Sequence, residues 1–351
     1  MSIAATLFFW VTAYVTAALV APVAAQAICD SAATIQDAGG VSWTPDCELG
    51  AGFVQTTLRF PDDYDGKVTS TVVRNEPQVS NPRGAVLYIH GFLDYFFQAH
   101  VAERFVAEGY DFYALDLRKY GRSIDGAAHM NFCKSMEEYF PEIDAAIDII
   151  TRDHPRVILY AHSTGALPAT LYAADVDPGR IERFILNSPF LDFKQESWKT
   201  ESVAWLGRIF PFIPRRDPVN RWYARSLHRD YRGEWSFNPA WKPIEGAVAF
   251  FGWVDCVSKA HQRIAGGLDL QQPILVLHSD QSSNGGLVWR SEFQRKDLIL
   301  DVEDIRRLSG NLGPRVQRVE IAGAVHDVVL SRKAVREHAL NVMMSWLEQS
   351  F

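Results

Sequence analysis

The segment LYAHSTGAL, residues 159–167, places Ser163 among small residues, with Ala161 two positions before it and Gly165 two positions after it. A serine between a strand and a helix can sit on a tight turn, with its hydroxyl clear of the backbone, if very small residues occupy these two positions. Gly165 meets this need, and Ala161 adds one methyl group where glycine is usual. The segment therefore predicts a nucleophilic serine, although a structural serine fits this short pattern equally well.

A serine nucleophile needs a base to accept its proton. His326, in IAGAVHDVVLS, follows the last predicted strand and precedes the last predicted helix. This loop lies at the carboxyl edge of a parallel sheet, as does the turn that carries Ser163. His162 is adjacent to the serine and should point elsewhere, and His90 belongs to the turn after an earlier strand. We therefore predict that His326 is the base; the alternative is a histidine of the surface or the core.

The base in turn needs a carboxylate that orients its ring. Asp280 directly follows the strand PILVLHS, whereas Asp297 begins the segment DLILD and Asp301 ends it. α/β sheets with such a site usually have a glycine and two more residues between this strand and the acid, which would put Ser282 at the acid's position. The segment DLILD has the pattern that normally begins with the acid and leads into a helix. We infer an insertion, Ser282 to Lys296, and favour Asp297. Asp280 and Asp301 remain alternatives.

Two backbone N–H groups should stabilise the negative charge that develops on the attacked carbonyl oxygen. One is expected from Thr164, directly after the serine, and the other from Phe92, in the turn after the strand VLYIHG. This chemistry needs no cofactor. No metal-ligand spacing such as H-E-x-x-H occurs in the sequence, so we expect no metal site.

Strands and helices alternate over most of the chain, which predicts an α/β fold with a mostly parallel sheet flanked by helices. Strands are predicted over residues 68–74, 84–92, 111–117, 156–161, 180–189, 273–279 and 315–323, and helices over 100–109, 135–153 (interrupted by Pro141), 165–175, 303–312 and from about 331. Residues 28–67 are expected to be an irregular N-terminal extension. The alternation covers 68–190 and 271–351, which we assign to the two parts of the core.

The alternation stops over residues 191–270, which are rich in aromatic residues. We interpret this stretch as a cap over one end of the sheet. Most of its rings should form the core of the cap, and a few should line a pocket.

The overall charge argues against one class of function. The formal net charge is −7, and the sequence has no basic stripe of the kind that nucleic-acid binding requires. We therefore expect no nucleic-acid partner. A composition that is 48% hydrophobic and 22% charged is that of a globular protein.

Residues 1–27 differ from the rest of the chain. No charged residue occurs from Ser2 to Ala27, and VAAQA at residues 23–27 has small residues spaced as at a signal-peptidase site. We predict a cleaved signal peptide, a mature chain that begins near Ile28, and an exported protein, periplasmic or secreted. The alternative is an uncleaved apolar anchor, by which the N-terminus would associate with a membrane.

An exported protein meets an oxidising compartment, where cysteines form disulfides. The sequence has four cysteines. Cys29 and Cys47 are close in the sequence and should pair, which leaves Cys133 and Cys256 as the second pair. Four free thiols are the alternative.

With these segments in place, the chain resembles the α/β-hydrolase superfamily. Within it, the chain is similar to the monoglyceride-lipase and lysophospholipase-like group, which is also classed as serine aminopeptidases (S33). The resemblance runs from about Val68 to the C-terminus. The segments that carry it are HGF at 90–92, DLRKYGRS at 116–123, AHSTG at 161–165 and VHD at 325–327. The group usually has D-x-R-G-H-G-x-S as its second motif, and here Lys119 and Tyr120 replace the glycine and the histidine.

The resemblance implies a serine hydrolase that cleaves carboxylic esters through an acyl-enzyme, with Ser163, Asp297 and His326 as its catalytic residues. The aromatic cap suggests a small-molecule ester with an apolar acyl or aryl group. A peptidase, a lactonase or an acyltransferase could use the same fold. A non-catalytic envelope protein that binds a ligand in this fold is an alternative from another class.

Overall fold

The computed structural model describes residues 34–37, 39–193, 197–216, 221–246 and 248–349. The strands are β1 (Ile35–Gln36), β2 (Ser42–Pro45), β3 (Phe53–Asp63), β4 (Gly66–Asn75), β5 (Gly84–Ile89), β6 (Tyr110–Asp116), β7 (Val157–His162), β8 (Ile181–Asn187), β9 (Pro214–Arg216), β10 (Val248–Phe250), β11 (Ile274–Ser279) and β12 (Val316–Ile321). The helices are α1 (Ala99–Ala107), α2 (Phe140–Ile150), α3 (Ala166–Asp175), α4 (Ser197–Ile209), α5 (Arg221–Leu227), α6 (Phe251–Ala265), α7 (Val302–Leu308) and α8 (Lys333–Leu347).

Ten strands form one sheet in the order β1-β2-β3-β4-β6-β5-β7-β8-β11-β12. The pairs from β1 to β4, and β4 with β6, are antiparallel, and the remaining pairs are parallel. Strand β7 shows why the central strands are apolar throughout: Leu159 packs into the core on one face, and Ile158 and Tyr160 into the core on the other. Helices therefore cover both faces, as parallel sheets require. The predicted α/β fold class is confirmed.

The N-terminal extension differs from the prediction. Residues 53–75, which include part of the stretch expected to be irregular, form the antiparallel hairpin β3–β4, with Asp63 paired to Gly66 across the turn. Over residues 57–61, exposed residues of β3 alternate with partly buried ones because only one face of this strand is covered. The Asp65–Gly66 dipeptide, at the turn between the segments of β3 and β4, is a sequence signal for a hairpin that the sequence interpretation missed.

Proline 141 also has a different role from the one predicted. It lies in the first turn of α2, which a 3₁₀ turn, Met136–Tyr139, precedes. Proline is favoured in the first turn because its missing N–H would have no intrahelical partner there. Pro141 therefore begins the helix instead of interrupting it.

The cap consists of α4, the two-stranded sheet of β9 and β10, α5 and α6. Helix α4 packs along α6 with one face, on which Thr200 and Ala204 are buried. Most described aromatic residues of the cap are buried or partly buried, as expected, and four are exposed: Trp205, Phe210, Phe212 and Tyr231. Trp205 lies in α4, whereas Phe212 follows it and stacks on His129 of the core with 4.2 Å between ring centroids.

Residues 1–33 lie outside the described part of the chain. The predicted signal peptide, the mature end near Ile28 and Cys29 fall within them, so these remain predictions. None of the helices that the structure describes is long and apolar enough to cross a membrane.

The turn between β7 and α3 carries Ser163. A short 3₁₀ turn, Ser163–Gly165, links the two elements, and Ser163 has a φ of 52°. A non-glycine residue in this left-handed region is strained, and such strain persists only where the surrounding structure holds it. Ala161 lies in β7, fully buried beside Ile89 of β5, so the strand accommodates its methyl group.

Gly165 holds this turn against the turn that follows β5. A Cβ atom at Gly165 would lie 2.3 Å from the carbonyl oxygen of His90 and 2.8 Å from that of Ile89. Both atoms belong to the backbone, so a side chain could fit only if the backbone of one turn moved. The need for a very small residue two positions after the serine therefore has a steric cause.

Replacement of Gly165 by alanine should force these turns apart. We expect Gly165→Ala to lower the free energy of unfolding by about 1–3 kcal/mol, the usual cost of overpacking. Urea denaturation followed by circular dichroism would measure the change. Gly310→Ala is the matched control, because a Cβ atom there would meet nothing within 4 Å. Equal stability of the two variants would contradict the steric account.

Candidate active site

Three side chains predicted from the sequence meet at the carboxyl edge of the sheet. The Nε2 atom of His326 lies 2.9 Å from Oγ of Ser163. The Nδ1 atom of the same ring lies 2.8 Å from Oδ2 of Asp297. All three residues are buried. The structure thus joins a hydroxyl, an imidazole and a carboxylate in one line of hydrogen bonds.

Asp297 reaches this position although residues 280–296 separate it from β11. Its N–H donates to the carbonyl oxygen of Gln281 at 2.8 Å, and its own carbonyl oxygen accepts from the N–H of Ser283 at 2.7 Å. These two bonds fasten the ends of the loop to each other. The loop can therefore vary in length without moving the carboxylate away from His326.

The Asp297 carboxylate is stabilised as an anion. Burial by itself would raise its pKa, but the adjacent His326 ring and the hydrogen bonds to Oδ1 from the N–H groups of Ile299 (2.7 Å) and Leu300 (2.8 Å) oppose this. Together they hold the pKa of Asp297 below its usual range. The residue therefore stays ionised and faces the Nδ1 atom of the ring.

The two alternative acids have other partners. Asp280 accepts a hydrogen bond from the N–H of Gly323 at 2.8 Å. Asp301 is the N-cap of α7 and accepts from the N–H of Glu303 at 3.1 Å. Both carboxylates therefore hold loops and a helix end, and the carboxylate that contacts His326 is that of Asp297.

The loop of His326 is fixed by contacts that the sequence interpretation missed. Asp327 is fully buried, and its Oδ1 and Oδ2 atoms accept hydrogen bonds from Asn187 (2.6 Å) and Gln98 (3.2 Å). The N–H of Asp327 donates to the hydroxyl of Tyr223 in the cap, and the Tyr223 ring lies edge-on to His326 with 5.6 Å between centroids. The sequence signal was the acid directly after the histidine in VHD, but its partners are distant in the chain.

Phe92 and Thr164, the residues predicted to supply two N–H groups, flank Ser163 and line the same pocket. Gly91 brings their two turns together: a Cβ atom there would lie 2.9 Å from Cβ of Ser163. The next residue, Leu93, has a φ of 56°, so the chain bends sharply after Phe92. Both turns thus border the space in front of the serine.

The other two candidate histidines are bound elsewhere. The N–H of Leu117 donates to Nε2 of His90, so the proton of this ring is on Nδ1, which donates to the carbonyl oxygen of Gly91. Nδ1 of His162 lies 3.0 Å from the carbonyl oxygen of Asn187. Burial lowers the pKa of both rings, so both stay neutral. The His162 ring lies beside that of His326, with 4.9 Å between centroids, but the imidazole that is hydrogen-bonded to the serine hydroxyl is that of His326.

The substitutions in the DLRKYGRS segment have structural partners. Lys119, in the glycine position of the motif, has a φ of 65° and is buried, with Nζ 2.9 Å from Oδ2 of Asp63 at the tip of the β3–β4 hairpin. Tyr120, in the histidine position, packs its ring against that of His90, with 4.8 Å between centroids. The Asp63 carboxylate of the N-terminal hairpin therefore balances the charge of a buried lysine at a position where the positive φ favours glycine.

A cavity of about 200 Å³ opens in front of Ser163 and His326. One part of its wall is apolar and comes from the cap, the β8 end and the Asp297 segment: Phe190, Phe193, Ala249, Trp253, Val254, Ile299 and Leu300. Another part is polar and includes Asp94 and Lys242. The pocket can therefore hold a molecule that has one apolar and one polar portion.

One cluster of candidate metal ligands lies beside the pocket in the described part of the chain. Asp94, His162 and Asp327 each have a ligand atom within 4.8 Å of the others. However, Asp94 already faces the Lys242 ammonium at 2.8 Å, and Asp327 accepts hydrogen bonds from Asn187 and Gln98. A divalent cation would have to displace the ammonium. These residues therefore fit hydrogen bonding better than metal binding.

The chain is similar in sequence to known hydrolases. The protein-family model described as serine aminopeptidase, S33, matches residues 80–281, more than half of the chain. A monoacylglycerol lipase of Mycolicibacterium smegmatis is 30% identical over 213 residues, which make up 58% of this chain and 71% of that protein.

Solved structures share the fold. A monoacylglycerol lipase of Paleococcus ferrophilus matches with a TM-score of 0.57 at 21% identity, over 80% of this chain and 98% of that one. A soluble variant of the monoglyceride lipase of Saccharomyces cerevisiae matches with a TM-score of 0.61 at 15% identity, over 84% and 96% of the two chains. These structures show the fold alone, whereas the matches to the family model and to the mycobacterial lipase are similarities of sequence that show the family. The chain therefore belongs to the serine aminopeptidase S33 family of α/β-hydrolases, in its monoacylglycerol-lipase-like group, and is a hydrolase of carboxylic esters.

Proposed function

We propose that Ser163 is the nucleophile of this ester hydrolase, that His326 is its general base and acid, and that Asp297 orients the imidazole. The observation that carries the proposal is the pair of hydrogen bonds on the one ring, 2.9 Å from Nε2 to Ser163 and 2.8 Å from Nδ1 to Asp297. A buried hydroxyl, imidazole and carboxylate in this order is the arrangement that activates a serine.

The reaction follows from this geometry. Oγ of Ser163 attacks the ester carbonyl carbon while Nε2 of His326 takes its proton, and the carbonyl oxygen becomes an oxyanion. The N–H groups of Phe92 and Thr164 stabilise this oxyanion. The tetrahedral intermediate then expels the alcohol, which receives the proton from His326. Water, deprotonated by the same ring, hydrolyses the acyl-enzyme and restores Ser163.

The substrates that we propose are small esters with an apolar acyl group. The rings of Phe92 and Trp253 lie 4.1 Å apart between centroids, and Phe190 and Phe193 pack around them, so this part of the pocket favours hydrocarbon over water. The mycobacterial relative is named for an ester of this type, a monoacylglycerol. An acyl chain would lie against these rings with its carbonyl at Ser163.

We also propose that the protein is exported and that residues 1–27 are its signal peptide. The uncharged N-terminal segment supports this, and so do the cysteines. The sulfur atoms of Cys133 in the core and Cys256 on cap helix α6 lie 3.1 Å apart, and both are buried. They are thiols in this structure, and a disulfide between them would tie the cap to the core.

The nucleophile can be tested directly. A fluorophosphonate probe, which reacts with activated serines, should label the wild-type protein on Ser163 and should not label Ser163→Ala. The variant should lose hydrolysis of p-nitrophenyl esters of every chain length while its circular dichroism stays unchanged. Labelling of the variant, or more than a trace of hydrolysis by it, would show that another residue is the nucleophile.

The acid is tested by comparing two amides. Asp297→Asn keeps the shape of the side chain but favours the wrong imidazole tautomer, a change that costs about 10⁴-fold in turnover in a serine protease. We expect a loss of this order in kcat. Asp280→Asn is the control, because Asp280 bonds to Gly323 and not to His326; it should cost at most about tenfold, or roughly 1.4 kcal/mol. Similar losses in both variants would remove the distinction between the two acids.

The export proposal predicts the covalent state of the protein. Intact mass spectrometry of the exported protein, without reductant, should show a chain that begins near Ile28 with Cys29 bonded to Cys47 and Cys133 bonded to Cys256. Reduction should then raise the mass by two hydrogens for each disulfide. A chain that begins at Met1 and sediments with membranes would favour the anchor alternative, and free thiols after export would rule out the pairing.

A further inference from the structure

The insertion between β11 and Asp297 forms a surface that the proposed hydrolysis of esters does not use. At its tip, Leu287 is 91% exposed and Val288 is 72% exposed. They border an open groove of about 630 Å³, and the other side of this groove comes from cap helix α5 and the segment after it. Clustered apolar side chains on a surface commonly mark a binding site. We call this region the insertion surface; its residues are Trp222, Arg225, Tyr231, Arg232 and 287–289.

The tip of the insertion is fastened to the cap. Nε1 of Trp222 donates a hydrogen bond of 2.7 Å to the carbonyl oxygen of Gly286, the residue before Leu287. On the other side of the tip, Phe293 is fully buried, and the side chain of Gln294 donates to the carbonyl oxygen of Arg232. The two aliphatic side chains are therefore presented at a defined place, and a partner that covers them need not first order the loop.

Aromatic residues surround the base of the tip. Trp289 directly follows Val288 and is partly buried, as is Trp222, whereas Tyr231 is exposed. Tryptophan and tyrosine have an apolar ring with one polar atom, and they are enriched where hydrocarbon meets water, as at the headgroup level of a membrane. The residue types beside the tip are thus those of an interfacial contact.

The insertion surface is basic although the chain as a whole is acidic. The two segments that line it, 221–232 and 286–296, contain seven arginine or lysine residues and two acidic residues, whereas the formal net charge of the chain is −7. The guanidinium of Arg232 lies over the Trp289 ring, 4.2 Å from its centroid, and has no ion-pair partner among the described residues. The surface therefore attracts an anion.

Arg225 adds an unused donor to this groove. Its Nη2 atom donates to Glu245, but its Nε atom is buried and donates to no residue that the structure describes. A buried N–H without an acceptor is costly, and arginine is well suited to bind the oxygen atoms of a phosphate group. A phosphate that enters the groove can supply the missing acceptor.

The combination of these groups indicates the kind of partner. An anionic lipid bilayer offers hydrocarbon to Leu287 and Val288, an interfacial layer to the aromatic rings, and phosphate groups to the arginines. An acidic polypeptide would satisfy the arginines, but it would also need an apolar pocket shaped for a tip that stands almost fully in solvent. The exposure of the tip therefore favours the bilayer.

Helix α5 relates this surface to the pocket in front of Ser163. Tyr223 and Ala224 line that pocket, whereas Trp222 and Arg225 line the insertion surface. One short helix thus separates the two regions. A membrane on the insertion surface would lie beside the part of the cap that borders the pocket.

We propose that the insertion surface docks the protein on anionic lipid membranes, with Leu287 and Val288 in the hydrocarbon and the arginines at the phosphate groups. This interaction goes beyond the proposed function and does not depend on the reaction at Ser163. It also differs from the predicted N-terminal anchor, which would need no anionic lipid.

The test measures binding to vesicles of ether-linked lipids, which contain no ester bond that the protein could cleave. One set contains equal parts of phosphatidylglycerol and phosphatidylcholine, and the other contains phosphatidylcholine alone. The readout is the partition coefficient of the full chain, from sedimentation of the vesicles. We expect at least about tenfold stronger binding to the anionic set, since each basic residue near such a surface contributes about fivefold. Added salt should weaken this preference.

Variants separate the apolar and the charged contributions. The double variant Leu287→Ser, Val288→Ser should bind anionic vesicles at least about tenfold more weakly, because the tip no longer gains from contact with hydrocarbon. Arg232→Gln and Arg290→Gln should each weaken binding to anionic vesicles about fivefold and leave binding to neutral vesicles unchanged. Arg290 is exposed and lies next to Trp289.

Two matched controls remove the same kinds of group elsewhere. Trp205→Ser removes a ring on α4 that is 57% exposed, and Arg59→Gln removes an exposed charge on β3, away from the insertion in the strand order. Both should bind vesicles as the wild type does. None of the substituted residues lines the pocket in front of Ser163, so every variant should keep its circular dichroism and its hydrolysis of p-nitrophenyl esters.

Three results would overturn the proposal. Equal binding to both sets of vesicles, unchanged in every variant, would favour the N-terminal segment as the membrane contact. A loss of binding in Trp205→Ser but not in the tip variant would move the contact to α4. Failure to bind vesicles, together with binding of soluble polyglutamate that depends on Arg232, would identify an acidic polypeptide as the partner. Vesicle binding by Ser163→Ala should equal that of the wild type, so the catalytic proposal and this one can fail separately.

Discussion

The imidazole of His326 is the constraint on which the site depends, because both of its nitrogen atoms must be satisfied at once. Ser163 and Asp297 lie within 2.9 Å and 2.8 Å of the two nitrogens, and all three side chains are buried. A carboxylate buried completely, as Asp297 is, would be unstable without such a partner and its two backbone donors. The ring thus stabilises the buried Asp297 carboxylate, and the carboxylate in turn fixes the orientation of the ring.

The parallel sheet meets this constraint by bringing distant segments to one edge. Strands β5, β7 and β11 lie in one continuous region of the sheet with β8 and β12, and the loops after them hold the residues of the site. Glycine at positions 91 and 165 lets two of these loops approach within van der Waals distance. The backbone bonds between Gln281, Ser283 and Asp297 give the third loop a fixed exit, whatever residues the insertion contains. The positions of the site residues therefore depend on backbone contacts near the edge of the sheet.

The sequence was informative where a local pattern reports a local structure. The alternation of elements predicted the fold, and DLILD located Asp297 because an acid that leads into a helix has a recognisable pattern. The β3–β4 hairpin was missed because a strand covered on one face has a polar composition that resembles a loop. The exposure of Trp205 in cap helix α4 was missed for a different reason: an aromatic residue indicates burial on average, and which face of a cap helix is covered depends on its neighbours.

The Asp94–Lys242 pair could not be predicted from sequence because its partners are 148 positions apart and neither belongs to a recognised motif. Only the position of the cap on the core reveals it. The same position accounts for the two halves of the pocket, since the cap supplies Trp253 to the apolar wall and Lys242 to the polar one. The sheet therefore positions Ser163, His326 and Asp297, and the cap supplies part of the wall of the pocket in front of them. The cap also contacts the catalytic loop, since the ring of cap residue Tyr223 lies edge-on to His326 and its hydroxyl accepts from the N–H of Asp327.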